Sequence, residues 1–222
     1  LIVGQIGAQG PNSEAGAGSG ATFIWNKESS TPIIVAGGGG GAAEDNGPVA
    51  TGISSNQNGA ASRSGENGGT NGGNGSNGIG SSSGTGGLGW NSIISGTFYS
   101  QAASRSGGWG GGGSADDGAG GGGGYSGGAG GADVNNWGGG GGSYNSGTEQ
   151  IILAGANDGH GKVVISLLGN PKLESAGQKD FFVARFDQNG TVTDSAHGSG
   201  TGIEGVNGIA IGKQNEFYLT GI

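Results

Sequence analysis

Uninterrupted runs of glycine constrain the fold of this chain more than any other feature of its sequence. Runs of four or five glycines occupy 37–41, 110–113, 120–124 and 138–142. Of the 112 residues in the range 37–148, 43 are Gly and only 14 are Val, Ile, Leu, Phe, Tyr or Trp. A helix loses about 1 kcal/mol for each Gly relative to Ala, so we expect no helix there. The scarcity of large apolar side chains also excludes an ordinary core.

Two structures remain open for residues 37–148. Gly/Ser-rich tracts behave as flexible linkers. Alternatively, the runs form extended three-fold helices, the polyglycine counterpart of polyproline II, which rise about 3.1 Å per residue and make no internal hydrogen bonds. Because glycine keeps its N–H and lacks a Cβ, such helices can lie side by side and bond to one another.

Aromatic residues favour the ordered alternative. Ordering 112 residues costs on the order of 110–220 kcal/mol of backbone entropy, so hydrogen bonding between helices must be nearly complete. Large rings are depleted in disordered segments. Seven rings accompany the glycine runs: Trp90, Phe98, Tyr99, Trp109, Tyr125, Trp137 and Tyr144. We predict extended, ordered segments at 37–53 and 107–148, rimmed by these rings, with the polar tract 54–87 as a candidate protruding loop.

Strand-like sequences flank this zone and define the domains. Runs at 21–25 and 32–36 precede it, and runs at 151–154 and 162–168 follow it. Their β-branched, apolar composition predicts strands. We therefore predict one glycine-rich domain over residues 1–168, with strands at 1–36 and 149–168 around a bundle at 37–148.

The remaining residues, 169–222, predict two β-hairpins. Phe181–Phe186 and the strand at 191–193 flank an Asn-Gly turn, and the runs 208–211 and 216–219 form a second pair. Asn-Gly between alternating apolar residues is a strong hairpin signal. We expect the chain to be a fragment of a longer protein.

The order of these motifs carries a family resemblance. It rests on these segments: Gly4–Gly7, Ala21–Ile24, Pro32–Gly41, Gly120–Gly128, Gly138–Gly147 and Gly159–Ile165. Over residues 1–168 the chain resembles the glycine-rich domain of the anaplastic lymphoma kinase and leukocyte tyrosine kinase ectodomains, which also occurs in bacterial surface proteins. The resemblance implies a β-sandwich-like frame with an inserted polyglycine-II bundle. The receptor domains use disulfides that this Cys-free chain lacks, so their cytokine binding is not carried over.

A second resemblance covers the tail. Asp180–Gly190, followed by Gly208–Ile211 and Glu216–Gly221, is similar to one bacterial β-propeller repeat of the seven-bladed type. Such repeats occur in series because one blade cannot bury its faces. The fold class expected for the whole chain is mainly β with essentially no α-helix.

Composition excludes several functional classes. Zero Cys removes thiolate metal sites and cysteine nucleophiles, and two His leave little for a zinc or triad site. A net charge of −8 argues against nucleic-acid binding. No apolar run approaches the roughly 18 residues of a membrane span.

Weak motifs suggest chemistry without establishing it. The segment Gly155–Val163 lacks the Ser or Thr of a phosphate loop, and Gly72–Ile79 approximates a calcium-binding nonapeptide with Asn77 where Asp belongs. Both are attributed to glycine-rich composition. Two sets of acidic residues are candidates for acid–base or calcium sites, although solvated loop charges are the favoured interpretation. They are Asp116 and Asp117 with Asp133, and Glu44 with Asp45.

The remaining candidates are aromatic, imidazole and loop residues. His160 is assigned to a structural hydrogen bond and His197 to a loop. Four aromatic rings would form a platform for a sugar or a peptide if they were exposed together, although the favoured interpretation is that they cap the bundle. These rings belong to Trp109, Tyr125, Trp137 and Tyr144. Specificity is expected at exposed tips, Asn56–Asn77 and Ser114–Ala119.

These observations predict a non-enzymatic structural or adhesive module of a large secreted or cell-surface protein of bacterial type. No catalytic residue, cofactor or metal is predicted, and neither nucleic acid nor a membrane span is expected. Its partner would be a protein or glycan ligand, another copy of the chain, or a surface-assembly machinery. The alternatives are a binding module of a carbohydrate-active or other hydrolytic enzyme whose catalytic part lies elsewhere, and a self-assembling extracellular fibre subunit.

Overall fold

The computed structural model of this chain divides into two compact units, Leu1–Val164 and Ile165–Ile222. The division falls a few residues before the boundary predicted after residue 168. The predicted class, mainly β with essentially no helix, is confirmed. The structure describes residues 1–10, 14–43, 56–100, 105–133, 136–148, 150–165, 181–186, 192–198, 205–212 and 217–221.

Regular elements make up a small part of the described residues. They are β1 (Thr22–Asn26), β2 (Thr31–Ala36), α1 (Trp90–Ile94), β3 (Tyr144–Asn145), β4 (Phe181–Phe186), β5 (Val192–Gly198), β6 (Val206–Ile211) and β7 (Phe217–Gly221). In the first unit, β1, β2 and β3 form one antiparallel sheet in that order. The strands predicted at 21–25 and 32–36 are therefore confirmed, with bounds shifted by one residue.

The central run of the glycine-rich zone, Ala119–Gly124, is buried throughout. Its N–H groups point in three directions that repeat every third residue. One direction leads to the segment 136–142, where the carbonyls of Asn136, Gly139 and Gly142 accept from the N–H groups of Ala119, Gly122 and Tyr125. A second leads to Gly16 and Ser19, which accept from Gly120 and Gly123. The third leads to Thr85 and Leu88, which accept from Gly121 and Gly124. A period of three is the repeat of a polyglycine-II helix and differs from the two-residue alternation of a strand.

Carbonyl groups of the same run accept from three further segments. Donors to the carbonyl oxygens of 119–123 are Gly131, Gly41, Gly113, Gly128 and Gly38, with N···O distances of 2.7–2.8 Å. The central run therefore bonds to six neighbouring segments, three as donor and three as acceptor. Hydrogen bonding in this bundle extends in all lateral directions, whereas in a sheet it is confined to one plane.

Close backbone packing explains why these positions are glycine. A Cβ added at Gly122 would overlap the carbonyl oxygen of Gly38, and one at Gly128 would overlap that of Gly139. Neither residue has a positive φ. Steric exclusion of a side chain, and not backbone conformation, therefore requires glycine here.

The described part of the polar tract, 56–87, belongs to the predicted bundle and does not form the protruding loop that was the alternative for it. The N–H groups of Gly75 and Gly78 bond to Gly87 and Gly84, whose own N–H groups bond to Gly128 and Gly131. The sequence carries the same three-residue period as the bonds. Asn71, Asn74 and Asn77 are exposed and stand one residue before Gly72, Gly75 and Gly78. In a helix at the edge of the bundle, one residue in three faces outward, and that position can carry a side chain.

A short helix and the sheet enclose the small apolar core. Helix α1 corrects the expectation that no helix forms in 37–148, and it lies in the glycine-free stretch between Gly89 and Gly96. Its buried residues pack with those of the sheet and of the adjoining chain. The core consists of Ile2, Ala21, Phe23, Val35, Trp90 and Ile93, with Trp25, Phe98, Tyr125 and Tyr144 packed against it.

The strands predicted at 149–168 are a second correction over 150–165, whereas residues 149 and 166–168 lie outside the described residues. None of the described residues 150–165 forms a strand, and Ile151, Leu153 and Val164 are 81%, 71% and 73% exposed. One backbone bond ties this segment to the bundle, from the N–H of Gly161 to the carbonyl of Gly4. β-Branched residues form strands only where a neighbouring strand and an apolar surface receive them.

The second unit contains the two predicted hairpins. Strand β4 pairs with β5 and β6 pairs with β7, both antiparallel, in separate two-stranded sheets. His197, assigned to a loop, lies instead in β5 opposite Phe182. The Asn-Gly turn lies outside the described residues, and the propeller assignment stays a prediction.

We predict that Gly122→Ala lowers the free energy of unfolding by more than about 3 kcal/mol, because the new Cβ would displace buried, hydrogen-bonded backbone. Gly159→Ala is the matched control, since a Cβ there meets nothing within 4 Å, and it should change stability by less than about 0.5 kcal/mol. Urea unfolding measures both values. Equal midpoints for the two variants would contradict the bundle.

Candidate functional site

A polar groove at the rim of the bundle is the candidate site. It is about 360 Å³ in volume and is lined by Ser64, Gly65, Glu66, Asn67, Ser76, Asn77 and Ile79. Two segments, 64–67 and 76–79, form its walls. They are joined by the N–H of Ser76, which donates to the carbonyl of Asn67 at 3.0 Å. The two walls of the groove are therefore held together by a backbone hydrogen bond.

A turn places the Glu66 carboxylate in this groove. The N–H of Ser62 donates to the carbonyl of Glu66, and Gly65, with φ +95°, reverses the chain between them. The hydroxyls of Ser62 and Ser64 both donate to Oε2 of Glu66. Ser62 is itself buried, so one side of the carboxylate is fixed by the protein interior.

Hydrogen bonding keeps this carboxylate ionised. Partial burial opposes ionisation, but the hydroxyls of Ser62 and Ser64 and the backbone N–H groups of Glu66 and Ile79 outweigh it and lower the pKa of Glu66 below its ordinary value. Glu66 therefore presents a negative charge and acceptor oxygens at neutral pH.

The other groove residues supply donors and an apolar surface. Oδ1 of Asn77 accepts the N–H of Gly86 at 2.9 Å, which turns the Nδ2 donor of this amide away from the backbone. The side chain of Asn67 is exposed, and Ile79 is 76% exposed. Donor, acceptor and apolar groups thus lie within one small groove.

Asp133 and Asp116, two of the acidic residues singled out in the sequence, have structural contacts, Asp133 through its carboxylate and Asp116 through its backbone carbonyl. Oδ1 of Asp133 accepts the N–H of Ser82 at 3.1 Å, and the carbonyl of Asp116 accepts a guanidinium N–H of Arg105. Within the described ranges, no three His, Asp or Glu side chains lie close enough together to hold a metal. Glu44 and Asp45 lie outside the described residues.

The segment Ser114–Ala119 is not the exposed tip that was predicted. Ser114, Ala115 and Ala119 are fully buried, and the backbone of Ala115 pairs with that of Arg105. Arg105 also forms an ion pair with Glu14. The segment enters the bundle because small residues, like glycine, fit between its helices.

The imidazole and the calcium-like motif have structural roles. Nδ1 of His160 accepts the N–H of Ile6 at 3.3 Å, which confirms the predicted structural hydrogen bond. In the nonapeptide-like segment, Oδ1 of Asn74 accepts from the N–H of Gly89 and the hydroxyl of Ser92. With Asn77 bonded to Gly86, both amide oxygens are used by the protein.

The four candidate platform rings belong to three different groups. Trp109 stacks on Phe98 with centroids 4.9 Å apart, and Tyr125 stacks on Tyr144 at 4.8 Å. Trp137 lies 4.8 Å from the guanidinium of Arg63. Because these rings pack on the core or on neighbouring side chains, the structure favours capping of the bundle over a shared platform.

The groove was missed in the sequence because its signal is slight. Ser62, Ser64 and Glu66 alternate along the chain, and only the turn at Gly65 brings the hydroxyls onto the carboxylate.

No protein-family model matches the chain, and a search of curated proteins finds no similar sequence. Among the residues that the structure describes, no helix has the length and apolarity required to cross a bilayer.

We predict that Glu66→Gln destabilises the protein more at neutral pH than in acid. Since the folded-state pKa is lowered, the stabilisation by Glu66 is complete above the ordinary carboxyl pKa and is lost as pH falls through the folded-state value. Urea midpoints at about pH 7 and about pH 3 measure this difference. Glu28→Gln, in the exposed β1–β2 turn, should have no effect. The same loss for Glu66→Gln at both pH values would contradict the assignment.

Proposed function

We propose that this chain is a non-enzymatic structural and adhesive module of a large secreted or cell-surface protein of the bacterial type. The resemblance of residues 1–168 to the glycine-rich domains of such proteins supports this proposal. The observation that carries it is that the backbone of Ala119–Gly124 is hydrogen-bonded to six neighbouring segments. A unit bonded in every lateral direction resists deformation, which is the property that a load-bearing module needs.

Backbone hydrogen bonding inside the bundle also determines which part of the module can recognise a partner. The interior of the bundle presents backbone to backbone and has almost no side chains with which to distinguish partners. Contacts with a partner therefore fall on the rim, where the outward positions of the edge helices carry side chains. The groove at Glu66 is such a rim site, and it is the attachment surface that we propose.

Hydrolytic activity is a weaker candidate for the described residues. Glycoside hydrolysis uses two carboxyl groups about 5–10 Å apart, and Glu66 is the one carboxylate among the residues lining the groove. If the parent protein acts on sugars or peptides, the catalytic groups belong to another part of that protein.

We expect that source cells expose this module and use it for attachment. Antibodies raised against the folded chain should label intact cells without permeabilisation. Cells whose parent protein carries Gly122→Ala should attach less to their natural surface than cells carrying Gly159→Ala, because only the first substitution disrupts the bundle. Retention under flow measures attachment, and labelling of intact cells normalises the amount displayed.

Two results would overturn this proposal. One is labelling that requires permeabilisation. The other is turnover of a sugar or peptide substrate by the isolated chain that disappears when both Asp116 and Asp117 are changed to Asn.

A further inference from the structure

We propose that the groove around Glu66 binds a neutral pyranose. The proposal rests on the proposed adhesive function and names the ligand class for its attachment surface. Glu66 would accept a hydrogen bond from one sugar hydroxyl, Asn67 and Asn77 would donate to sugar oxygens, and Ile79 would pack against ring C–H groups.

The acceptor is oriented before a ligand arrives. Both serine hydroxyls donate to Oε2 of Glu66, so a sugar hydroxyl would donate to Oε1. Ordering a Glu side chain on binding costs about 1.5–2 kcal/mol of rotamer entropy. Here the hydroxyls of Ser62 and Ser64 already orient the carboxylate in the folded protein, so most of this entropy is lost during folding and not during binding. Hydrogen bonds to an ionised carboxylate are also stronger than neutral ones.

The donors are arranged to complement this acceptor. The bond from the N–H of Gly86 to Oδ1 of Asn77 fixes the orientation of the amide, leaving Nδ2 as a donor. The exposed amide of Asn67 supplies a second donor on the opposite wall. A sugar hydroxyl both donates and accepts, so a groove that combines donors and acceptors suits it better than a phosphate, which the Glu66 charge would repel.

Size and apolar surface agree with a monosaccharide. A volume of about 360 Å³ lies at the small end of ligand sites, which span roughly 300–1,000 Å³. Ile79 presents an apolar side chain that is 76% exposed and can cover one face of a sugar ring. One carboxylate on an open groove gives weak affinity, which an adhesive protein offsets by displaying many copies.

The test is an amide-resolved NMR titration of the whole chain with methyl α-mannoside, methyl β-galactoside and methyl β-glucoside, each to about 100 mM. We expect at least one glycoside to shift the amide signals of 64–67 and 76–79, with a Kd on the order of 1–10 mM. Glu66→Gln should weaken that binding by about tenfold or more, because it replaces the charged acceptor. Asn67→Ala should weaken it several-fold.

Glu28→Gln is the matched control and should bind as the unchanged chain does. Unaltered amide signals for 119–125 in each variant establish that the bundle is intact. The proposal is overturned if none of the three glycosides shifts the groove signals, if shifts appear only elsewhere, if Glu66→Gln binds equally well, or if spermidine shifts the groove signals while the glycosides do not.

The cell assay separates failure of this inference from failure of the proposed function. If cells carrying Glu66→Gln attach as firmly as unmodified cells while those carrying Gly122→Ala detach, the module is adhesive but the groove is not its sugar site. If neither substitution affects attachment, the adhesive function itself is wrong.

Discussion

Backbone hydrogen bonding without intervening side chains is the interaction on which the first unit depends. In a sheet, each strand has two hydrogen-bonded neighbours, and the remaining faces must be covered by apolar side chains. The run Ala119–Gly124 has six hydrogen-bonded neighbours, so bonds replace the apolar packing that this composition lacks. A net contribution of about 0.5–1.5 kcal/mol per bond accumulates only if nearly every buried group is paired, which explains the strict exclusion of Cβ atoms.

The sequence predicted the parts of this fold that side chains encode. The β1–β2 hairpin follows from two β-branched runs, and β4–β7 follow from alternating apolar residues and turn signals. Glycine runs flanked by rings predicted the bundle itself. The neighbours of each helix could not be predicted, because glycine has no side chain to specify a register. The sequence left the tract 56–87 open between bundle and loop, because its Ser and Asn content obscured the three-residue spacing of its glycines.

Dependence on context explains the other errors. Residues 151–154 and 162–165 have the composition of strands but lack a paired neighbour among the described residues. Ser114–Ala119 has the composition of a loop but packs inside the bundle because its side chains are small. The groove at Glu66 depends on a turn and two hydroxyls that meet only after folding. In each case, tertiary contacts determined the outcome and local preference did not.

The six-neighbour arrangement has a consequence for how the protein folds during synthesis. The central run bonds to Gly16 near one end of the unit and to Gly139 towards the other. No shorter stretch of the chain contains all of its partners, so these contacts have high sequence separation and the chain must close long loops before it gains stability. A ribosome must therefore release almost the whole unit before the bundle can form. Until then the glycine segments of the nascent chain remain hydrated. Because they lack apolar side chains, they have little tendency to aggregate before the bundle forms.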